Sequence, residues 1–233
     1  VDVCEIVGMT EQIIIGSRFN GPPESGNGGY TAGLIAQALG AERTGAVVTL
    51  RTPPPLDTPM RIDPADHGIA VHAGADLVAE ATADGPDDEP VPAVPYDDAV
   101  RAATGYPGFA DHPFPTCYVC GPRRATGDGL RIFPGPLPGG RTAAPWTVPA
   151  DVSAVTLWAA LDCPGGWAII APGRPYVLGR MAARVHAVPP GGARCVVTGV
   201  VARVEGRKAT VRSALYAEDG TLLALARSTW ISI

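Results

Sequence analysis

The stretch that most constrains this chain is Gly26-Asn27-Gly28-Gly29-Tyr30-Thr31-Ala32-Gly33-Leu34-Ile35-Ala36-Gln37-Ala38-Leu39. After a polar start it is apolar and alanine-rich, so a helix formed by it has almost no wet face and has to be enclosed. A glycine pair at the helix start leaves backbone N–H groups free, with the positive end of the helix dipole behind them. Such a place can hold a carbonyl oxygen as it becomes negative. The same glycines equally let a helix pass close to a sheet, and both readings stand at this point.

The 233 residues, 46% of them hydrophobic, are enough for one large domain or two small ones with good cores. The net charge is −5, and Lys208 is the only lysine among 18 basic residues, so no basic stripe marks a nucleic-acid partner. No apolar run reaches the length of a membrane span, and Val1-Asp2-Val3-Cys4-Glu5 lacks the layout of a signal peptide. Five cysteines, Cys4, Cys117, Cys120, Cys163 and Cys195, do not resemble a disulfide framework. A cytoplasmic location is expected.

Strands are predicted at Glu11–Phe19, Thr44–Thr52, Thr58–Ile62, His67–His72 and Ala75–Ala83, with the apolar helix after the first. Asp84 to Pro95 is acidic and proline-rich and reads as a linker, followed by a helical turn or two at Tyr96–Thr104 and an ordered loop from Gly105 to Gly129. Leu130–Phe133 and Arg141–Thr147 are predicted strands. Ser153–Cys163 is a second apolar helix, capped by Asp151 or Ser153. Four long strands follow, Tyr176–His186, Arg194–Glu205, Lys208–Ala217 and Thr221–Ile231, separated by clear glycine turns. The order strand, apolar helix, antiparallel strands therefore occurs twice, as in a duplicated unit of about a hundred residues.

With these residues in view, the chain resembles the hotdog-fold acyl-CoA thioesterase superfamily in its double-hotdog form, with TesB-like and PaaI-like features. Asn27-Gly28-Gly29 before Leu34-Ile35-Ala36-Gln37-Ala38-Leu39, then Thr49-Leu50-Arg51-Thr52 and Pro55-Leu56-Asp57-Thr58-Pro59-Met60, are similar to the TesB-like first half. Ala160-Leu161-Asp162 with Trp167 looks like the segment carrying the catalytic aspartate, and Cys117-Tyr118-Val119-Cys120-Gly121-Pro122 resembles the lead-in of many small hotdog thioesterases. The resemblance implies an α+β fold of two antiparallel sheets, each wrapped around a long central helix, with an N-terminal hotdog plus linker over 1–104 and a C-terminal hotdog over 105–233. It implies hydrolysis of an acyl-CoA thioester within lipid metabolism. Coenzyme A would enter as part of the substrate, with no resident cofactor, and a homodimer is possible. Two departures stand out: Asn27 takes the slot where small members often carry histidine, and Ala226-Arg227-Ser228 on the last strand holds no glutamine. A non-catalytic acyl- or ligand-binding hotdog is the alternative, and a hotdog enoyl-CoA hydratase or dehydratase a more distant one.

Asp162 is the expected catalytic acid, because a carboxylate inside Leu157-Trp158-Ala159-Ala160-Leu161 needs a task or a partner. It could take a proton from water attacking the thioester, or attack the carbonyl itself. It could instead cap a helix beginning at Pro164. Asn27, Gly28, Gly29 and Tyr30 form the expected oxyanion and substrate-binding group, with Asn27 equally a plain helix cap. Aligning the helices puts Ser153-Ala154-Val155 opposite Asn27-Gly28-Gly29 and Ala36 opposite Asp162, so one half would hold the donors and the other the acid. Cys117 and Cys120 form a single Cys-x-x-Cys with no second pair or histidine at zinc spacing, so no metal is expected and the pair reads as a turn at the mouth of the second hotdog. Arg51, Arg123, Arg124 and Arg131 are candidates for the CoA phosphates, or surface charges. Trp158, Trp167 and Trp230 are assigned to the core.

Overall fold

Two capped helices set the centre of the molecule. The computed structural model describes residues 12–171 and 173–233. Helix α1, Gly28–Ala38, starts at Asn27, whose side-chain oxygen accepts the Tyr30 N–H at 2.9 Å. This is an ordinary N-cap. Helix α3, Ala154–Gly166, starts at Ser153 in a reciprocal capping box with Thr156. Every residue of α3 is buried. The helix continues through Pro164 to Gly166, because a proline there removes one N–H near the helix end and its fixed φ suits a helix. Asp162 is therefore interior to one continuous helix and caps nothing at Pro164.

The two helices lie against each other because glycine keeps their facing backbones close. A Cβ on Gly33 would lie 2.9 Å from Trp158 Cβ and 3.1 Å from Val155 Cα. One on Gly29 would lie 2.6 Å from Asp162 Cβ. Glycine here is a requirement of packing.

Among the described residues, eleven antiparallel strands form one sheet. The first six in chain order are β1 (Gln12–Ile13), β2 (Ala46–Leu50), β3 (Met60–Ala65), β4 (Gly68–Ala73), β5 (Asp76–Thr82) and β6 (Gly135–Leu137). They are followed by β7 (Arg141–Thr147), β8 (Tyr176–Val185), β9 (Arg194–Glu205), β10 (Lys208–Ala217) and β11 (Leu222–Ser232). The strand order is β1-β3-β4-β5-β2-β8-β11-β10-β9-β7-β6. Outward from the β2–β8 pair, one side runs β5, β4, β3, β1 and the other β11, β10, β9, β7, so the two sides have matching topologies. Two sheets were expected, and one is observed: β2 and β8 pair in register, Ala46 with Ala183 and Val48 with Met181. Pairing these two edges satisfies backbone groups that separate sheets would leave open. Helix α1 packs on β2 and β8, and α3 on β7 to β11.

Other expectations shift locally. Of the predicted strand Glu11–Phe19, Glu11 lies outside the described residues, as does Cys4. Only Gln12 and Ile13 join the sheet, opposite Arg61 and Met60, and Ser17–Phe19 is a 3-10 turn. Leu130–Phe133 is not a strand, because Arg131 adopts φ of +52° and breaks the extended run. The Leu130 and Ile132 N–H groups bond instead to the Tyr118 and Val119 carbonyls. The predicted linker is irregular and also anchored, since Tyr216 Oη donates to Val91 O at 2.6 Å and Val91 is fully buried. Helix α2, Tyr96–Ala103, follows it. No helix among the described residues is long and apolar enough to cross a membrane.

Gly33→Val tests the helix contact: it is expected to destabilise the fold by about 1–3 kcal/mol through overpacking, while Gln37→Ala on the exposed face of α1 stays within about 0.5 kcal/mol of wild type. Urea denaturation of both variants provides the comparison.

Candidate functional site

Asp162 and the start of α1 meet, although 135 residues separate Asp162 from Asn27. Asp162 Oδ2 accepts the Gly29 N–H at 3.1 Å and the Asn27 Nδ2 at 3.0 Å. The Asn27 amide has no freedom to flip, because its oxygen is already the α1 cap and its nitrogen must then face the carboxylate. Asn27 thus both caps α1 and donates to the Asp162 carboxylate. The other carboxylate oxygen, Oδ1, is buried without a partner among the described residues. Burial pushes the Asp162 carboxyl up to about 7, against the pull of the Gly29 and Asn27 donors. A carboxyl poised there can exchange a proton near neutral pH.

Asp162, Asn27 and Gly28 line a cavity of about 550 Å³, together with the polar side chains of Glu24, Ser25, Arg51, Thr52 and His112. Pro54, Phe114, Ile170, Leu178 and Trp230 supply apolar surface to the same cavity. Such a mixture suits a molecule with a greasy body and one reactive polar group. The expected pair of oxyanion donors separates here. Gly28 lines the cavity, whereas the Gly29 amide is occupied by Asp162 Oδ2. Gly28 also makes a close pass, since a Cβ on it would lie 2.7 Å from Leu178 Cβ. The close-approach reading of the glycine pair therefore holds at both positions. The ring of Tyr30 stacks on Phe19 at 4.0 Å and meets Tyr118 edge-on, away from the cavity wall.

The other sequence candidates divide. Trp158 is wholly interior, while Trp167 and Trp230 are buried and also face the cavity. Of the four arginines, Arg51 lines the cavity, with its Nε bonded to Glu80 at 2.7 Å. Arg124 is held by the Arg18 carbonyl, Asn20 and Asp128, and Arg131 donates to the Arg124 carbonyl. At the equivalent place on the other side, Ser153-Ala154-Val155 and Ala36 offer neither a glycine pair nor an acid.

Sequence reasoning missed the convergence around the cysteines. Cys117 and Cys120 do form a turn on the cavity wall, but Cys163 of α3 joins them and His112 Nε2 lies 3.3 Å from Cys120 Sγ. The neighbouring Cys120 and Cys163 thiols pull Cys117 well below its ordinary value, and burial pushes Cys120 and Cys163 up and His112 down. A spacing of 46 residues between Cys117 and Cys163 leaves no local signal of their contact.

No protein-family model and no curated protein matches the sequence. Solved structures do match its fold. A conserved protein of unknown function with a hot dog fold from Alicyclobacillus acidocaldarius superposes with a TM-score of 0.61 at 15% identity, covering 95% of this chain and 91% of that one. The tesB protein of Mycobacterium avium subs paratuberculosis gives 0.59 at 10% identity over 98% and 90%. An acyl-CoA thioesterase II, TesB2, from Mycobacterium marinum gives 0.56 at 13% identity over 95% and 92%. The chain has the hotdog fold along nearly its whole length.

Asn27→Asp separates the two roles of Asn27. Aspartate caps a helix as well as asparagine does, but here it replaces a donor to Asp162 with an acceptor. A loss of about 1–3 kcal/mol at pH 8 in urea denaturation is expected, and an unchanged midpoint would mean that Asn27 acts only as a cap.

Proposed function

We propose that the protein hydrolyses an acyl-CoA thioester to CoA and a carboxylic acid at one composite site between two hotdog halves, 1–104 with its linker and 105–233. The observation that carries this reading is the meeting of Asp162 with the α1 start in a single mixed cavity. The fold shared with a protein named as an acyl-CoA thioesterase II supports it.

In this reading the thioester carbonyl sits at the Gly28 amide, at the positive end of α1, where developing negative charge is stabilised. Asp162 Oδ1, the oxygen without a partner, takes a proton from the attacking water. Gly29 and Asn27 hold Oδ2 and so fix the direction in which Oδ1 works. When the tetrahedral intermediate collapses, the C–S bond breaks and the proton returns from Asp162 to the leaving thiolate. The apolar wall takes the acyl group, and Arg51, which lines the cavity beside Glu80, would meet the CoA phosphates. No resident cofactor is needed for these steps.

Chromatographic measurement of CoA release from a series of acyl-CoAs tests the proposal. Wild type is expected to turn over at least one chain length, and Asp162→Asn to lose about 10²–10⁴-fold in kcat. Saturable binding without release for every acyl-CoA would favour the binding protein instead, and undiminished release by Asp162→Asn would remove Asp162 from the chemistry.

A further inference from the structure

Three thiols at the cavity wall have no part in that hydrolysis. Cys117 and Cys120 come from the long loop between α2 and β6, and Cys163 from α3 next to Asp162. All three are buried, none is in a disulfide, and their Sγ atoms lie within 4.8 Å of one another. The Cys117 and Cys163 sulfurs are 4.0 Å apart. Tetrahedral zinc with bonds to sulfur of about 2.3 Å holds its sulfurs about 3.8 Å apart. The cysteine positions are close to what one such ion requires.

The surroundings are arranged for sulfur that carries negative charge. Trp167 Nε1 donates to Cys120 Sγ at 3.4 Å, and Asn27 Nδ2 lies 3.8 Å from Cys117 Sγ. His112 adds a third donor. Its Nδ1 accepts the Phe114 N–H at 2.9 Å, so a neutral ring carries its proton on Nε2, which faces Cys120 Sγ. The ring therefore offers an N–H to the sulfur and no lone pair to an ion. Donors of this kind around ligand atoms are a normal outer layer of metal sites. The turn itself is tight: the Gly121 N–H closes on Cys117 O at 2.9 Å, and a Cβ on Gly121 would lie 2.5 Å from Cys117 N. A glycine after the second cysteine is thus required for both sulfurs to face Cys163.

We propose that Cys117, Cys120 and Cys163 bind one thiophilic divalent cation of the zinc class as three thiolates, with the fourth tetrahedral position turned to the cavity. Binding forms three sulfur–metal bonds and releases three thiol protons. Three thiolates against two positive charges leave one net negative charge, which the Trp167, His112 and Asn27 donors share. The ion would tie the loop carrying His112 and Phe114 to α3 beside Asp162. The proposal is independent of the hydrolase reading, and its test uses no substrate.

Full-length protein purified in reducing buffer, without chelator or a metal-affinity step, is expected to carry about one equivalent of zinc by elemental analysis. Replacement by Co(II) should produce sulfur-to-cobalt charge-transfer bands and the visible bands of a tetrahedral ion. Cys163→Ser should weaken the charge-transfer bands, and Cys195→Ser, which changes a cysteine outside the cluster, should leave them unaltered. Trp167→Phe should weaken Co(II) binding about 10-fold or more. Wild-type protein with all thiols reduced that binds neither ion, or a Cys117–Cys120 disulfide in the purified protein, would overturn the proposal. If Cys163→Ser does not fold, the wild-type cobalt spectrum still decides the matter.

Discussion

A carboxylate with nearly all of its surface covered by protein costs several kcal/mol unless other groups replace its hydration, and Asp162 is nearly wholly buried. The Gly29 amide and the Asn27 side chain replace part of that hydration, both on Oδ2. Hydrogen bonds to charged groups contribute about 1.5–3 kcal/mol each. This contact requires a helix start from early in the chain to lie against a helix interior from late in the chain. The remainder of the architecture follows from bringing them together: glycines at positions 29 and 33 let α1 approach α3, and β2 pairs with β8 across the middle of the sheet.

The matching strand orders on the two sides of β2–β8 imply that each half could have carried the same site, yet the side chains differ. The α1 start has glycines where the α3 start has Ala154 and Val155, and α3 has an acid where α1 has Ala36. A Cβ at Gly29 would collide with Asp162, so the glycine and the acid are a matched pair across the helix contact. One side of the contact supplies donors, the other the group they hold. Asn27 extends the same arrangement to Cys117, and links the carboxylate to the sulfur cluster.

Much of this was legible in the residues. The two apolar runs marked α1 and α3 because a helix without a wet face has few places to go, and the glycine turns marked the last four strands to within a residue or two. Asp162 stood out as an acid in an apolar run. What could not be read were consequences of long-range pairing. The single sheet depends on edge strands finding each other, which hydrophobic period does not encode. The Gly29 amide was expected to be free for substrate, and only the approach of α3 shows it bonded to Asp162. Cys163 and His112 reach the Cys-x-x-Cys turn through the fold and not through spacing. At Leu130–Phe133 the apolar pattern was suited to a strand, but a left-handed Arg131 overrode it.

The central claim, that Asn27 and Asp162 act on each other across the helix contact, is most directly measured by a double-mutant cycle. The stabilities of wild type, Asn27→Ala, Asp162→Ala and the double variant would be determined in urea at one pH. A coupling of about 0.5–3 kcal/mol is predicted, the range found for groups in one hydrogen-bonded network. Additivity of the two losses to within about 0.3–0.5 kcal/mol would contradict the account.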